Sequence, residues 1–169
     1  MNNQLTLSVS PHIHSGRSTR RIMLDVLIAL LPATAAGAVI FGLRSLLVAL
    51  VCVVTAVAAE SLYCVITKSR NTVIDCSAIV TGLLLAMTLP HTVPLLLAAV
   101  GGILAISLAK VMYGGLGQNV FNPALSARGF MMLIAPAYMV RFEGLDGVTA
   151  ATPLHHMVMP ALPEETVLD

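Results

Sequence analysis

Two hydroxyls three residues apart, Thr149 and Thr152, sit in the run Asp146-Gly147-Val148-Thr149-Ala150-Ala151-Thr152-Pro153-Leu154. Ala150 and Ala151 are small and leave steric access to the Thr152 hydroxyl. Pro153 disfavours helix at the residue before it, which keeps Thr152 extended and exposed. An ordinary loop with two threonines has the same composition.

Ionisable residues inside apolar stretches are the second set. Glu60 lies eight residues before Lys68, which is about 12 Å along a helix from that boundary. A carboxyl group at that depth is costly unless paired or wetted, which makes it a functional candidate. It can line a hydrated ion route or seat a partner subunit, and a helix–helix contact satisfied by hydroxyls fits equally well. Asp25 stands one turn into the first apolar run and reaches the interface near Arg21. Arg128, in the fifth run, is a partner for either acid.

A third stretch, Tyr113-Gly114-Gly115-Leu116-Gly117-Gln118-Asn119-Val120-Phe121-Asn122-Pro123-Ala124, precedes an apolar run. Asn122 is a good N-cap and Pro123 suits a first helical turn. A half-helix starting inside protein would present free N–H groups to an anion; a plain capped turn reads the same way. Cys52, Cys64 and Cys76 are twelve residues apart with no C-x-x-C pair, so they are read as packing thiols and no metal site or disulfide is expected. His12 and His14 suit contact with a cytoplasmic partner better than a metal.

The elements that must position these residues are membrane segments. Of the 169 residues, 57% are hydrophobic and 10% charged, against about 25% charged in a soluble domain. Mean hydropathy is +0.92, and an all-α integral membrane protein is the expectation. Basic residues interleaved with aromatics are missing from the sequence, which argues against nucleic acid. Ile22 to Leu43, interrupted by Asp25 and Pro32, is long enough to cross a bilayer, as is Ser45 to Thr67. The first run also passes for a signal peptide ending near Ala33-Thr34-Ala35, but its apolar residues continue to Leu43 and its basic leader is long. Ser77 to Leu89 is half that length and stops at Pro90-His91-Thr92-Val93-Pro94. Pro94 to Ala109 and Ala124 to Val140 complete about five transmembrane or half-membrane segments. The expected organisation is a cytoplasmic leader 1–21, a transmembrane domain 22–140 and an extracytoplasmic segment 141–169.

Orientation follows from the cations. If every run crosses, Arg17, Arg20, Arg21, Lys68, Arg70 and Lys110 share one side, with Arg128 near it, whereas Arg44 and Arg141 fall on the other. The positive-inside bias then puts the N-terminus in the cytoplasm and Thr152 outside.

The 146–152 run resembles the flavinylation motif D-x-x-[S/T]-[G/A]-A-T of the RnfD/NqrB family, membrane subunits of ion-pumping electron-transfer complexes. The Tyr113–Ala124 loop and the leader Ser10-Pro11-His12-Ile13-His14-Ser15 are similar to that family's sequences too. The resemblance implies FMN joined by a phosphoester to Thr152, with Asp146, Thr149 and Ala151 as motif neighbours, attached outside the cytoplasm by a separate flavin transferase. Most relatives carry Gly at the position of Ala150. The resemblance further implies a noncovalent riboflavin near Asn119 to Pro123, Arg128 as a partner for a flavin, and other membrane and peripheral subunits in a bacterial inner membrane. Such complexes pass electrons between ferredoxin and NAD and couple this to Na⁺ or H⁺ translocation. The family's fold is similar to the urea transporters, with two inverted five-helix repeats. The match covers one repeat plus the flavin segment, which implies a truncated or split product.

Three rivals stand beside this: the B subunit of a sodium-pumping NADH:quinone reductase, a urea-transporter-like channel fragment with no redox role, and an inert remnant. NAD itself is not expected on this chain, which has no G-x-G-x-x-G after a strand.

Overall fold

The computed structural model describes residues 18–68, 73–108, 121–143 and 149–150. In chain order these form α1 (Thr19–Phe41), α2 (Leu43–Thr67), a 3-10 turn (Val73–Asp75), α3 (Ser77–Thr88), α4 (Leu95–Ser107), α5 (Pro123–Ile134), α6 (Pro136–Met139), β1 (Phe142–Glu143) and β2 (Thr149–Ala150). The chain is an all-α polytopic membrane protein; its strands are a two-residue antiparallel contact and build no layer.

Helices α1 and α2, of 23 and 25 residues with mean hydropathies of 2.1 and 2.2, reach about 34 and 38 Å, enough to cross a hydrocarbon core of about 30 Å. The α3, α4 and α5 helices, at 12, 13 and 12 residues, extend only about 18–20 Å. The short third run is thus the half-length helix expected, and Pro90 and Pro94 bound the turn that follows it.

Three boundaries differ from the hydropathy pattern. First, α1 begins at Thr19 and includes Arg20 and Arg21, because long basic side chains are good helix formers whatever their polarity. Second, the break between the first two helices is Gly42, with φ 77° and ψ −176°, a region that is essentially glycine-only; Arg44 consequently lies in the first turn of α2 and not between helices. Third, the run Ala124 to Val140 is not one helix. Ala135 leaves helical geometry (φ −140°, ψ 60°) and Pro136 starts a new short helix, as expected where proline lacks an N–H and constrains the residue before it. Pro32, by contrast, lies within α1, and Thr34 Oγ1 donates to the Leu31 carbonyl beside it.

The helices run up and down. Ser45 Oγ donates to the Gly37 carbonyl across the Gly42 turn, so α2 is antiparallel to α1. Along α3, Ala78 groups with Ala56 of α2, Gly82 meets Cys52 and Val53, and the turn beyond reaches Arg44. Helix α4 returns beside them, with Ala98 and Gly102 at Cys52 and Ile106 at Ala56. Helix α5 lays Met131 against Gly101 and Leu85, and the chain beyond α6 comes back to Thr92 through Arg141. One end of the bundle therefore gathers Gly42, Arg44, the Pro90–Pro94 turn and Arg141. The start of α1, Lys68, Ser77 and Asn122 belong to the opposite end.

The core is a seam on α2. Its buried residues, Val48, Cys52, Ala56, Glu60 and Cys64, recur every fourth position. A Cβ on Gly82 would stand 2.8 Å from Val53 Cα and 2.9 Å from the Cys52 carbonyl oxygen, and one on Gly102 would strike the Thr55 hydroxyl. Small residues here bring backbones together, which is how membrane helices gain dispersion contacts when lipid removes the hydrophobic drive between them. Helix α1 is different: none of its residues is buried.

Candidate functional site

The end of the bundle holding Arg44 is built by three connections. Arg44 Nη2 donates to the Thr92 carbonyl at 3.2 Å, and Thr92 Oγ1 donates to the Arg141 carbonyl at 3.0 Å. Phe41, closing α1, stacks on His91 with ring centroids 5.1 Å apart and planes 25° from parallel. Arg141 leads directly into β1, which pairs with β2 in the register Phe142 opposite Ala150 and Glu143 opposite Thr149. The two arginines assigned from sequence to the minority side are thus joined through a single residue of the intervening turn.

Below the Phe41–His91 pair lies a cleft of about 320 Å³ between α1, α2 and α3. Its walls are mostly small or apolar, with Ala33 and Gly37 from α1, Ser45 and Ala49 from α2, and Ala86 from α3. It runs from Phe41 down to Ala33, eight residues or about 12 Å along α1. Nothing lies within 4 Å of a Cβ built on Gly37, so a side chain there meets open space, unlike at the glycines of the α2 seam.

The sequence-derived site residues separate into places. Thr149 is located in β2 opposite Glu143. Thr152, Asp146, Ala151 and Asn119 lie outside the described residues, as do the leader histidines. Asn122 caps α5 as its type implies: its side chain accepts from the Ala124 N–H at 3.0 Å, with Pro123 in the first turn. Glu60 is fully buried, and among the described residues it is the one buried charged side chain. It follows Ala56 by one turn, toward the end where α3 begins and α4 finishes.

Arg128 is half-buried on α5, which packs on α3 and α4, while Asp25 and Glu60 sit on α1 and α2. Asp25 is exposed on α1. Cys52 and Cys64 are buried in the seam, the Cys52 thiol donating to the Ala98 carbonyl at 3.6 Å, and all three cysteines are free thiols.

Sequence reasoning missed Phe41, His91 and Thr92 as a set. Their only signal was a histidine–threonine pair between prolines, facing across 48 and 49 residues of chain to Arg44 and Arg141.

Comparison with known proteins gives a consistent result. The sequence model of the NQR2, RnfD, RnfE family matches residues 6–168. The chain is 46% identical over 153 residues to the D subunit of the Na(+)-translocating ferredoxin:NAD(+) oxidoreductase complex of Acetobacterium woodii, covering 89% of this chain and 48% of that protein. It is 41% identical over 160 residues to the D subunit of the proton-translocating ferredoxin:NAD(+) oxidoreductase complex of Clostridium ljungdahlii, covering 90% and 47%. To the D subunit of the ion-translocating oxidoreductase complex of Escherichia fergusonii it is 37% identical over 152 residues, covering 87% and 42%. The chain spans about half the length of the curated relatives it matches.

Proposed function

The chain belongs to the NQR2, RnfD, RnfE family, and from that membership we propose that it serves as a membrane subunit of an ion-translocating electron transport complex of the ferredoxin:NAD oxidoreductase type. It relays electrons through FMN attached to Thr152, and the complex couples the transfer to Na⁺ or H⁺ movement. The observation that carries this reading is the run Asp146-Gly147-Val148-Thr149-Ala150-Ala151-Thr152, standing after a helical membrane body in a chain of this family.

In this proposal a separate flavin transferase modifies Thr152. The Thr152 oxygen attacks the phosphorus of an activated flavin phosphate; the O–P bond forms as the bond to the donor's leaving group breaks, and the hydroxyl proton departs. Once attached, the flavin supplies reversible uptake and release of electrons, while the chain fixes its position and surroundings. The end of the bundle that carries β2 is suited to such a group, offering the guanidinium of Arg44 and a mostly apolar cleft. The charge distribution favours a cytoplasmic leader over residues 1–21 and an extracytoplasmic segment over 141–169, in a bacterial inner membrane.

Glu60 supplies the ion-handling part of the proposal. A carboxyl group fully buried in a membrane helix is a costly feature, and we assign it to a hydrated path or to the seat of a neighbouring subunit. The loop from Asn119 to Pro123 is the place assigned to a noncovalent riboflavin.

The test is expression of the whole chain with a flavin transferase, followed by denaturing electrophoresis under ultraviolet light. A yellow-fluorescent band that disappears in Thr152→Val is the expected result. A band that survives the substitution moves the attachment elsewhere, with Thr149 next in line; an unmodified peptide beside an active transferase overturns the assignment. For Glu60, the expected outcome is that Glu60→Gln lowers ion transport by the assembled complex while the fluorescent band persists.

A further inference from the structure

We propose that the side of α1 facing away from the bundle docks a membrane-spanning helix of another subunit, one that carries a lysine or arginine level with Asp25. This rests on the chain serving within a membrane complex and not on the flavin. The first support is direction. Met23, Leu27, Leu30, Thr34, Gly37 and Phe41 are half-buried and recur every three or four positions, so they mark the bundle side of α1. Asp25 follows Met23 by two residues, which turns it through about 200°. Ala29, Pro32, Ala36 and Val39 continue its line at the same alternating spacing, and all of them are exposed, as Asp25 is. A second stripe thus runs along the back of the helix, opposite the first.

The second support is charge. Asp25 lies about 9 Å along α1 from Thr19. A carboxylate on the lipid side at that depth is costly unless it meets a cation. Arg21 stands one turn nearer the helix start, and among the described residues the two make no ion pair. A second copy of this chain does not answer the charge. In the same membrane orientation it would set Asp25 against Asp25, and like charges repel.

Shape is the third support. Ala29 and Ala36 are small, whereas Ile28 and Ile40, on either side of the stripe, are large and exposed. The stripe is therefore a shallow groove along which a partner backbone can approach. Close approach over small residues is how membrane helices gain dispersion contacts.

The whole chain, produced in a membrane with the other subunits of its complex, carries a photocrosslinking amino acid in place of Ala36. The control carries it in place of Leu31, which is exposed but about 120° round from Asp25. Irradiation is expected to join position 36, and not position 31, to a spanning segment of another subunit that contains lysine or arginine, read from the linked peptides by mass spectrometry. Asp25→Asn should lower that yield, normalised to the chain present in the membrane, about tenfold. Asp25→Arg should abolish it, and exchanging the partner's basic residue for aspartate should restore it. A yield unchanged in Asp25→Asn, or a charge exchange that restores nothing, overturns the pairing. So do adducts with lipid alone, with this chain's own leader, with a second copy or with a segment lacking a base. If the other subunits co-purify and no adduct forms, the docking face alone fails; if none co-purifies, membership of the complex fails with it.

Discussion

Two faces of α2 are built in opposite ways. Toward α3 and α4 it forms a tight seam, where glycines are placed so closely that a methyl group has no room. Toward α1 it leaves a cleft, and α1 contributes no buried residue at all. The contrast separates scaffold from site: backbone-to-backbone contact fixes the half-length helices, and a loosely held long helix leaves space beside them. It also means that identical substitutions should have opposite signs on the two faces.

The largest effect expected is from Leu85→Ala, since Leu85 is fully buried between α3 and α5. It should cost about 3 kcal/mol, measured by reversible unfolding in mixed detergent micelles, whereas Leu31→Ala, at a 59% exposed site, should stay within about 0.5 kcal/mol. Next, Gly82→Ala should destabilise by about 2 kcal/mol through overpacking against the α2 backbone. Gly37→Ala should instead stabilise by about 0.5 kcal/mol through its better helix propensity. Equal signs for this glycine pair would erase the distinction between seam and cleft. Gly42→Ala forces a side chain into the glycine-only region and should cost about 1–2 kcal/mol, read in the same unfolding measurement. Asn122→Ala, which removes a helix cap far from either face, should cost about 1 kcal/mol, read in the same unfolding measurement.

What could be read beforehand was whatever is local. Asn122 and Pro123 announce a helix start by their types alone, and the half-length of α3 follows from an apolar run stopped by Pro90. Membrane character follows from composition. The break at Pro136 was hidden by continued apolarity on both sides, and the break at Gly42 was offset from the charged Arg44 that seemed to mark it. Which helices touch was not legible either: α5 packs chiefly on α3 and α4. The cleft was invisible for the same reason, since its rim joins residues from three distant segments. Thr152 was reached from sequence pattern and lies outside the described residues, so its assignment still stands on that pattern.

The every-fourth spacing along α2 has a geometric outcome of its own. Four residues turn an α-helix through about 40° beyond a full revolution, so the row from Val48 spirals instead of tracking the axis. Val48 borders the cleft; Glu60, twelve positions later, is about 18 Å further along and about a third of a revolution around. The buried acid and the cleft thus face different quadrants of one rod. Any influence of one on the other has to pass as a rotation or tilt of that rod, a lever with its fulcrum at the glycine crossings.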